Sequence, residues 1–471
     1  MPIYPQSNTT MTDTEQKTPH VAKRALSLAV PIAGSRFLAM ISSFIGMIML
    51  AHLGPDTLAA SNLIYSSQIA VVVLTMSILF SVSAMVGQAF GAGRDLEIGS
   101  LIQKSWLLSI LITLPAAFIL WHIGPILLFL GQEPKLVVIV VSFFHSYIWA
   151  ILPTLWLTSA QQFAFGVLRQ RLVVISNALN LIVLVVAGYA LIYGKWGLPA
   201  LGAAGLGYAI TIQMWFSVLL FIGFFKWLPG FEKYGIFQWR FREDLYLLKK
   251  MFNIGWPISV QTGGELLSFF FISMMVGWIG TKALAAQQVV SQYLFIVLVP
   301  MFSISQANGI LVGQAVGAKR FHEINSLALL CLGFGLSVLA IAACAFLLLP
   351  TQLSSLYIDI HDPNNLGIIH LIRWIFVVVV IGQIFDTTRN IMTGGLRGLY
   401  DTQVPMIISI ICIWLIGIPL GYVLAFPLKL GIIGLNIGSG IGVAIGAVAI
   451  VSRWRWQRKH THQTGNPSSQ H

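Results

Sequence analysis

Charge is what this 471-residue chain has least of. Only 9% of its residues are Asp, Glu, Lys or Arg, where a soluble globular protein carries about 25%. Acids are the rarer sign, fifteen against twenty-seven Lys and Arg. With 57% of the residues hydrophobic, a soluble fold of this size has too little polar surface to cover the rest, which excludes a soluble enzyme, a nucleic-acid binder or a secreted scaffold. Cysteine is scarce as well. Cys331, Cys344 and Cys412 sit inside apolar runs with no CxxC spacing, so neither a disulfide framework nor a metal site is indicated.

What the chain has in abundance is apolar blocks long enough to cross a bilayer, which takes about 20 residues per helix. Between Gly, Pro and charge clusters they predict twelve spans, at 25–52, 58–84, 98–122, 138–165, 172–193, 202–225, 251–278, 284–311, 325–349, 366–395, 403–426 and 431–452. The fold class is therefore all-α and integral to the membrane. Residues 1–22 are polar and lack a signal-peptide core, so a disordered cytoplasmic tail is expected there, with a basic cytoplasmic tail at 453–471.

The net charge of +12 is explained by topology rather than by nucleic acid. Nineteen of the Lys and Arg fall in the two tails and the even-numbered loops, four in the odd-numbered loops (Lys135, Lys195, Lys282, Lys429) and four within spans (Arg36, Lys104, Arg373, Arg389). Because cytoplasmic loops carry the basic excess, both termini are expected in the cytoplasm, and the inner membrane follows for a bacterial chain.

The chain also repeats itself. At an offset of 226 residues, Pro31 recurs as Pro257, Gly54 as Gly280, Leu58-Ala59-Ala60 as Leu284-Ala285-Ala286, and Val86-Gly87-Gln88-Ala89 as Val312-Gly313-Gln314-Ala315. Farther on, Leu168-Arg169 matches Leu396-Arg397 at an offset of 228, and Gly202 and Gly205 match Gly431 and Gly434 at 229. Six helices per half return the chain to its starting side, so the halves run parallel about an axis along the membrane normal, a transporter arrangement with the substrate site between the two halves near the midplane. The lobes are expected at 23–225 and 251–452, joined by a cytoplasmic connector at 226–250. Pro31 and Pro257 interrupt the helical bonding pattern at matching places.

Thirteen of the fifteen acids fall in tails or loops, and Glu265 and Asp386 are the exceptions. Glu265 precedes Gly280 at one helix end by fifteen residues, and Asp386 precedes Arg397 at the other end by eleven. At about 1.5 Å per residue these depths are roughly 22 and 16 Å, near the midplane for both. A charge there costs about 2.5–3.5 kcal/mol even on the lenient insertion scale, so it faces a cavity or a partner. A carboxylate that takes either a proton or a cation is sufficient for antiport, since occupancy by one expels the other. Asp386 has a structural alternative, an ion pair with Arg389 three residues on, whereas Glu265 has no basic residue within a turn of sequence. Gln261, Thr262, Ser268 and Thr387 are oxygen donors close by in sequence, and Gln288 and Tyr293 are further cavity candidates. Arg36 is a basic residue too deep to reach the interface easily. It bonds helix carbonyls, pairs with an acid when the lobes close, or lines the cavity and repels cations.

These residues resemble the multidrug and toxic compound extrusion (MATE) family from Pro31 to about Gly434. The likeness rests on Ala51-His52-Leu53-Gly54, on Gly-Gln-x-x-Gly-Ala at 87–92 and 313–318, on Gly255-Trp256-Pro257 ahead of Glu265, and on Asp386 ahead of Gly395-Leu396-Arg397-Gly398. The resemblance implies a twelve-helix antiporter that exports organic cations or drugs against inward H+ or Na+, with no other cofactor, acting as a monomer in the lipid bilayer; Glu265 and Asp386 match NorM-like members. One departure concerns the first helix, where bacterial members commonly carry an aspartate and this chain has Gly46, facing Leu184 and Gly188 in helix five. A flippase for lipid-linked or polysaccharide precursors is the nearest rival and requires cationic side chains for a pyrophosphate, of which Arg36 and Arg389 are only two. A membrane transferase requires clustered acids that are absent, and a major-facilitator carrier requires a Gly-x-x-x-Asp-Arg loop where this chain has Gly87-Gln88-Ala89-Phe90-Gly91-Ala92. The glycine loops also lack the Gly-Lys-Ser or Gly-Lys-Thr of a nucleotide-binding loop.

Overall fold

The structure, a computed structural model, describes residues 12–238, 245–359, 362 and 365–464. Backbone N–H and C=O groups have no water to bond in hydrocarbon, so an apolar run must satisfy them within its own helix. Among the described residues, twelve helices are long and apolar enough to cross a membrane: α1 Ala25–Ala51, α2 Pro55–Gly91, α3 Asp95–Trp121, α4 Pro134–Gly166, α5 Gln170–Tyr193, α6 Gly202–Trp227, α7 Leu245–Ile279, α8 Thr281–Gly317, α9 Phe321–Leu348, α10 Leu366–Gly398, α11 Gln403–Ala425 and α12 Gly431–Thr461. They form two parallel six-helix repeats. Glycines at φ +124° and +138°, Gly54 and Gly280, turn the chain between the first two helices of each lobe, where a side chain would be strained. Short helices follow α3 and α9 at matching places, Ile123–Phe129 and Pro350–Ser355.

The helices overrun several expected limits. Helix α1 continues back to Thr12, so residues 12–22 are helical rather than an irregular tail. Residues 1–11 lie outside the described residues. At the other end α12 runs to Thr464, and Arg453 Nε is tied to Asp401 Oδ2 at 2.7 Å. Residues 465–471 are outside the described set. The expected connector at 226–250 shrinks in the same way, to the stretch between Trp227 and Leu245, of which 239–244 are not described.

Its described part is docked on the N-terminal lobe. Phe231 and Tyr234 are buried against Phe163 and Phe225, and Gln103 Nε2 of α3 donates to the carbonyls of Ile236 (2.8 Å) and Gln238 (3.0 Å). Gly99 leaves the space that the Tyr234 carbonyl occupies. Lys233 Nζ meets Asp95 Oδ1 at 3.1 Å, and this bond raises the Lys233 pKa above its ordinary value.

The repeat register in the fourth and tenth helices differs from the sequence match at 228. Helix α4 runs 134–166 and α10 runs 366–398, so the structural offset is 232. Each helix is followed at its second residue by a left-handed backbone, Leu168 (φ 60°) and Tyr400 (φ 64°). Each then closes with an N–H that reaches five residues back, Arg169 to Ala164 O at 2.8 Å and Asp401 to Leu396 O at 3.0 Å. A four-residue slip is little more than one helical turn and preserves the helix face, so an apolar pattern does not reveal it. Arg397 accordingly sits in the last turn of α10 rather than in a loop.

Candidate functional site

Helices α7, α10 and α11 of the C-terminal lobe bring three charges together. Asp386, Arg389 and Asn390 share a face of α10 because positions three and four apart are neighbours on a helix. Arg389 is 3% exposed. Its Nη2 meets Asp386 Oδ1 at 2.8 Å, and its Nη1 meets Glu265 Oε1 of α7 at 2.7 Å and Ser409 Oγ of α11 at 2.9 Å. Asn390 Nδ2 donates to Asp386 Oδ2 at 3.0 Å. Gln261, one turn before Glu265, donates through Nε2 to Glu265 Oε1 (3.1 Å) and Ser409 Oγ (3.2 Å), and its own Oε1 accepts from Arg397 Nη2 at 3.2 Å.

The Asp386–Arg389 ion pair is thus formed, and Arg389 extends it to Glu265. Glu265 has no basic neighbour in sequence, but α10 supplies one from 124 residues away. Arg389 bridges the two carboxylates, Arg397 reaches the cluster through Gln261, and Glu265 Oε2 receives none of these hydrogen bonds. That oxygen belongs to the residue that lines, with Asp386, a cavity of about 190 Å³ whose other polar groups include Ser268, Gln383, Asn436 and Ser439.

Other candidates lie elsewhere. Thr262 Oγ1 bonds back to Ile258 O at 2.8 Å on its own helix. Gln288 is exposed and stands away from the cavity; its neighbour Gln287, about 100° round the helix, lines it and accepts from Asn436 at 3.1 Å. Tyr293 is buried in packing, with its hydroxyl on Leu353 O at 2.8 Å and its ring among Phe346, Tyr357 and Phe376. Thr387 faces α9 at Gly335. Among the described residues Arg36 forms no ion pair; its Nη2 donates to Gln306 Oε1 at 2.8 Å. Ser409 and Asn390 were not singled out in the sequence, although Ser409 is a lone polar residue in an apolar run, the same signal that marked Glu265.

The N-terminal lobe holds a cavity of about 420 Å³ in the corresponding place. At the repeat offsets of 226 and 232, Glu265, Asp386, Arg389 and Ser409 become Ala39, Thr154, Leu157 and Asn177, and all four of these line it. Its polarity is neutral: Gln161 Nε2 donates to Asn177 Oδ1 at 3.1 Å, Asn177 Nδ2 to Ser35 O at 3.0 Å, and Gln213 Nε2 to Asn180 O at 3.1 Å. Gly46 and Leu184 are in its wall.

Between the lobes, every described side-chain hydrogen bond lies from mid-depth toward one end, the end carrying the loops after α2, α4, α8 and α10. Gln88 Nε2 donates to Gly398 O (2.7 Å) and its repeat mate Gln314 to Gly166 O (3.0 Å). A Cβ at Gly91 would overlap the main chain of Gln314, and one at Gly317 the carbonyl of Gln88. Nearer the midplane, Ser259 Oγ donates to Leu74 O at 2.8 Å, beside the π-helical segment Ile69–Val73 of α2. The Gly-Gln-x-x-Gly-Ala segments are therefore the tight crossing of the two lobes.

Two parallel six-helix lobes, shut at one end and carrying a buried acid cluster beside a cavity, define a membrane transporter and not an enzyme. The chain belongs to the MatE family, whose profile matches residues 31–190 and 257–423, one segment in each lobe. It is 30% identical over 465 residues to the multidrug resistance protein NorM of Burkholderia vietnamiensis, covering 96% of this chain and 98% of that one. With the probable multidrug resistance protein NorM of Synechocystis it shares 29% over 445 residues, covering 93% and 94%. Among solved structures, an outward-facing multidrug resistance MATE family transporter superposes with a TM-score of 0.82 at 16% identity, covering 93% of this chain and 96% of that chain. The eukaryotic MATE transporter AtDTX14 superposes with 0.81 at 18%, covering 95% and 99%.

Proposed function

We propose that this chain is a multidrug exporter that moves organic, mostly cationic compounds out of the cell by antiport with H+ or Na+, working as a monomer by alternating access of its two lobes. The observation that carries the reading is the Glu265–Arg389–Asp386 cluster, two acids on one buried arginine beside a cavity. Binding of a proton or Na+ there changes which contacts Arg389 keeps, and binding that differs between two conformations is what shifts their populations. On this reading the shut end, with its basic loops, is the cytoplasmic one, both termini are cytoplasmic, and the membrane is, in a bacterium, the inner one.

The test is efflux of a fluorescent organic cation in vesicles, driven by an imposed pH gradient in one arm and an imposed Na+ gradient in the other. One gradient is expected to drive transport and so name the ion, and Glu265→Gln is expected to reduce the driven rate by about tenfold or more, within the usual range of coupling energies. Transport that persists unchanged in Glu265→Gln under both gradients would remove the acid cluster from the mechanism.

A further inference from the structure

Arg36 has no part in the acid cluster, and its surroundings are the opposite of those of Arg389. Two carboxylates neutralise Arg389, whereas Arg36 keeps its whole charge among amides. Its Nη2 donates to Gln306 Oε1 of α8 at 2.8 Å, and Gln306 Nε2 donates to Gln162 Oε1 of α4 at 2.7 Å. Arg36 and Gln162 belong to the N-terminal lobe and Gln306 to the C-terminal lobe, so both bonds span the junction. The clasp also has a particular place along the helices. Ala39, one turn beyond Arg36 on α1, lines the N-terminal cavity, and Phe302, one turn before Gln306 on α8, lines the C-terminal one. In the other direction along α8, Gly313 and Gly317 of the crossing follow two and three turns on. Arg36 and Gln306 therefore stand between both cavities and the shut end, and an ion leaving either cavity that way meets them.

A guanidinium carries N–H donors and no acceptor and keeps its proton in proteins, so it cannot take up an arriving proton and hand it on. Its fixed charge repels Na+ as well, and an arginine serves in this way to exclude protons and cations from membrane pores. Amides alone lack that property, because their carbonyl oxygens accept a hydrogen bond or coordinate a cation. We infer that Arg36, held across the junction by Gln306, is the cation barrier of the shut end, keeping H+ and Na+ from running through the protein without cargo. Under ion-driven export, on which this inference rests, such a leak dissipates the gradient that drives transport. Parting of the lobes breaks both bonds, so the barrier is withdrawn only when this end opens.

The test is the decay of an imposed pH or Na+ gradient in proteoliposomes without cargo, followed by a trapped indicator dye. Wild type is expected to hold the gradient. Arg36→Gln is expected to speed its collapse about tenfold or more, since a unit charge close by acts through an effective dielectric far below that of water. Gln306→Glu, which neutralises Arg36 without replacing it, is expected to leak in the same way, and Arg36→Lys, which keeps a donor-only cation, to stay tight. Leaky variants are expected still to move a fluorescent organic cation when driven, at a greater loss of gradient per dye exported. Arg36→Gln and Gln306→Glu liposomes as tight as wild type would overturn the inference and leave export standing, as would Arg36→Lys leaking as fast as Arg36→Gln. Wild type that moves no organic cation under either gradient, read in a separate arm with cargo, would remove the export reading and this inference with it.

Discussion

The two lobes share one backbone plan and hold opposite chemistry in it. In the C-terminal lobe the cavity between the helices is about 190 Å³ and bordered by Glu265, Asp386 and Arg389; in the N-terminal lobe it is about 420 Å³ and bordered at the same places by Ala39, Thr154 and Leu157. The arginine explains part of the difference in room, since its side chain spans from α10 to α7 and draws both acids onto itself. Neutral amides in the other lobe hold each other in place and leave more room between the helices. On the proposed reading, the duplicated frame separates two tasks, with ion coupling in the small charged chamber and space for bulky cargo in the large neutral one.

Making the charged chamber resemble the neutral one should have the largest effect. Arg389→Leu leaves two buried acids without their counter-ion and is expected to cost about 3–5 kcal/mol, whereas the triple change Glu265→Ala, Asp386→Thr and Arg389→Leu, which copies the N-terminal lobe, is expected to regain most of that. Unfolding by denaturant in detergent would show it, and a triple variant as unstable as the single one would break the comparison. The reverse transplant is next in size. Ala39→Glu alone places an unpaired carboxylate in the large cavity at a cost of about 2.5–3.5 kcal/mol, and adding Leu157→Arg should recover part of it in the same assay.

At the crossing the lobes are expected to behave alike rather than differently. Gly91→Val and Gly317→Val each push a side chain into the opposite main chain, for about 1–3 kcal/mol against the shut arrangement. A single cysteine at Gln306 should react faster with a soluble maleimide in both variants; an increase in only one would mean that the crossing is not symmetric. The smallest effects concern the residues that lie away from the cavity. Tyr293→Phe forfeits one hydrogen bond, about 1 kcal/mol, and Gln288→Ala is expected to stay within about 0.5 kcal/mol of wild type, both with driven efflux retained.

Much of this architecture is legible in the sequence because bilayer physics leaves few options. Apolar runs bounded by glycine, proline and charge predict twelve spans, each falling on one observed helix with starts within six residues and ends within nine, and Glu265 and Asp386 stand out because a carboxylate inside a span is rare. The contacts that complete the cluster are hidden for a definite reason. Ser409 approaches Gln261 across 148 residues and Arg389 approaches Glu265 across 124, and no local pattern encodes such pairings. Helix ends were equally hard to read. Arg397 looks like a loop residue from its charge, yet its helix runs on through Gly398, and the repeat register of α4 and α10 emerges only when their first and last residues are known.

The docking of the connector on one lobe sets a leash. With Gln103 holding the backbone as far as Gln238, the chain has seven peptide links to reach Leu245 at the start of α7. At about 3.3–3.6 Å per residue, fully stretched, those two points can never be more than roughly 25 Å apart. However the lobes move, that corner of the shut end stays pinned within this radius, and any wide opening there must swing about it, with the far corners travelling most.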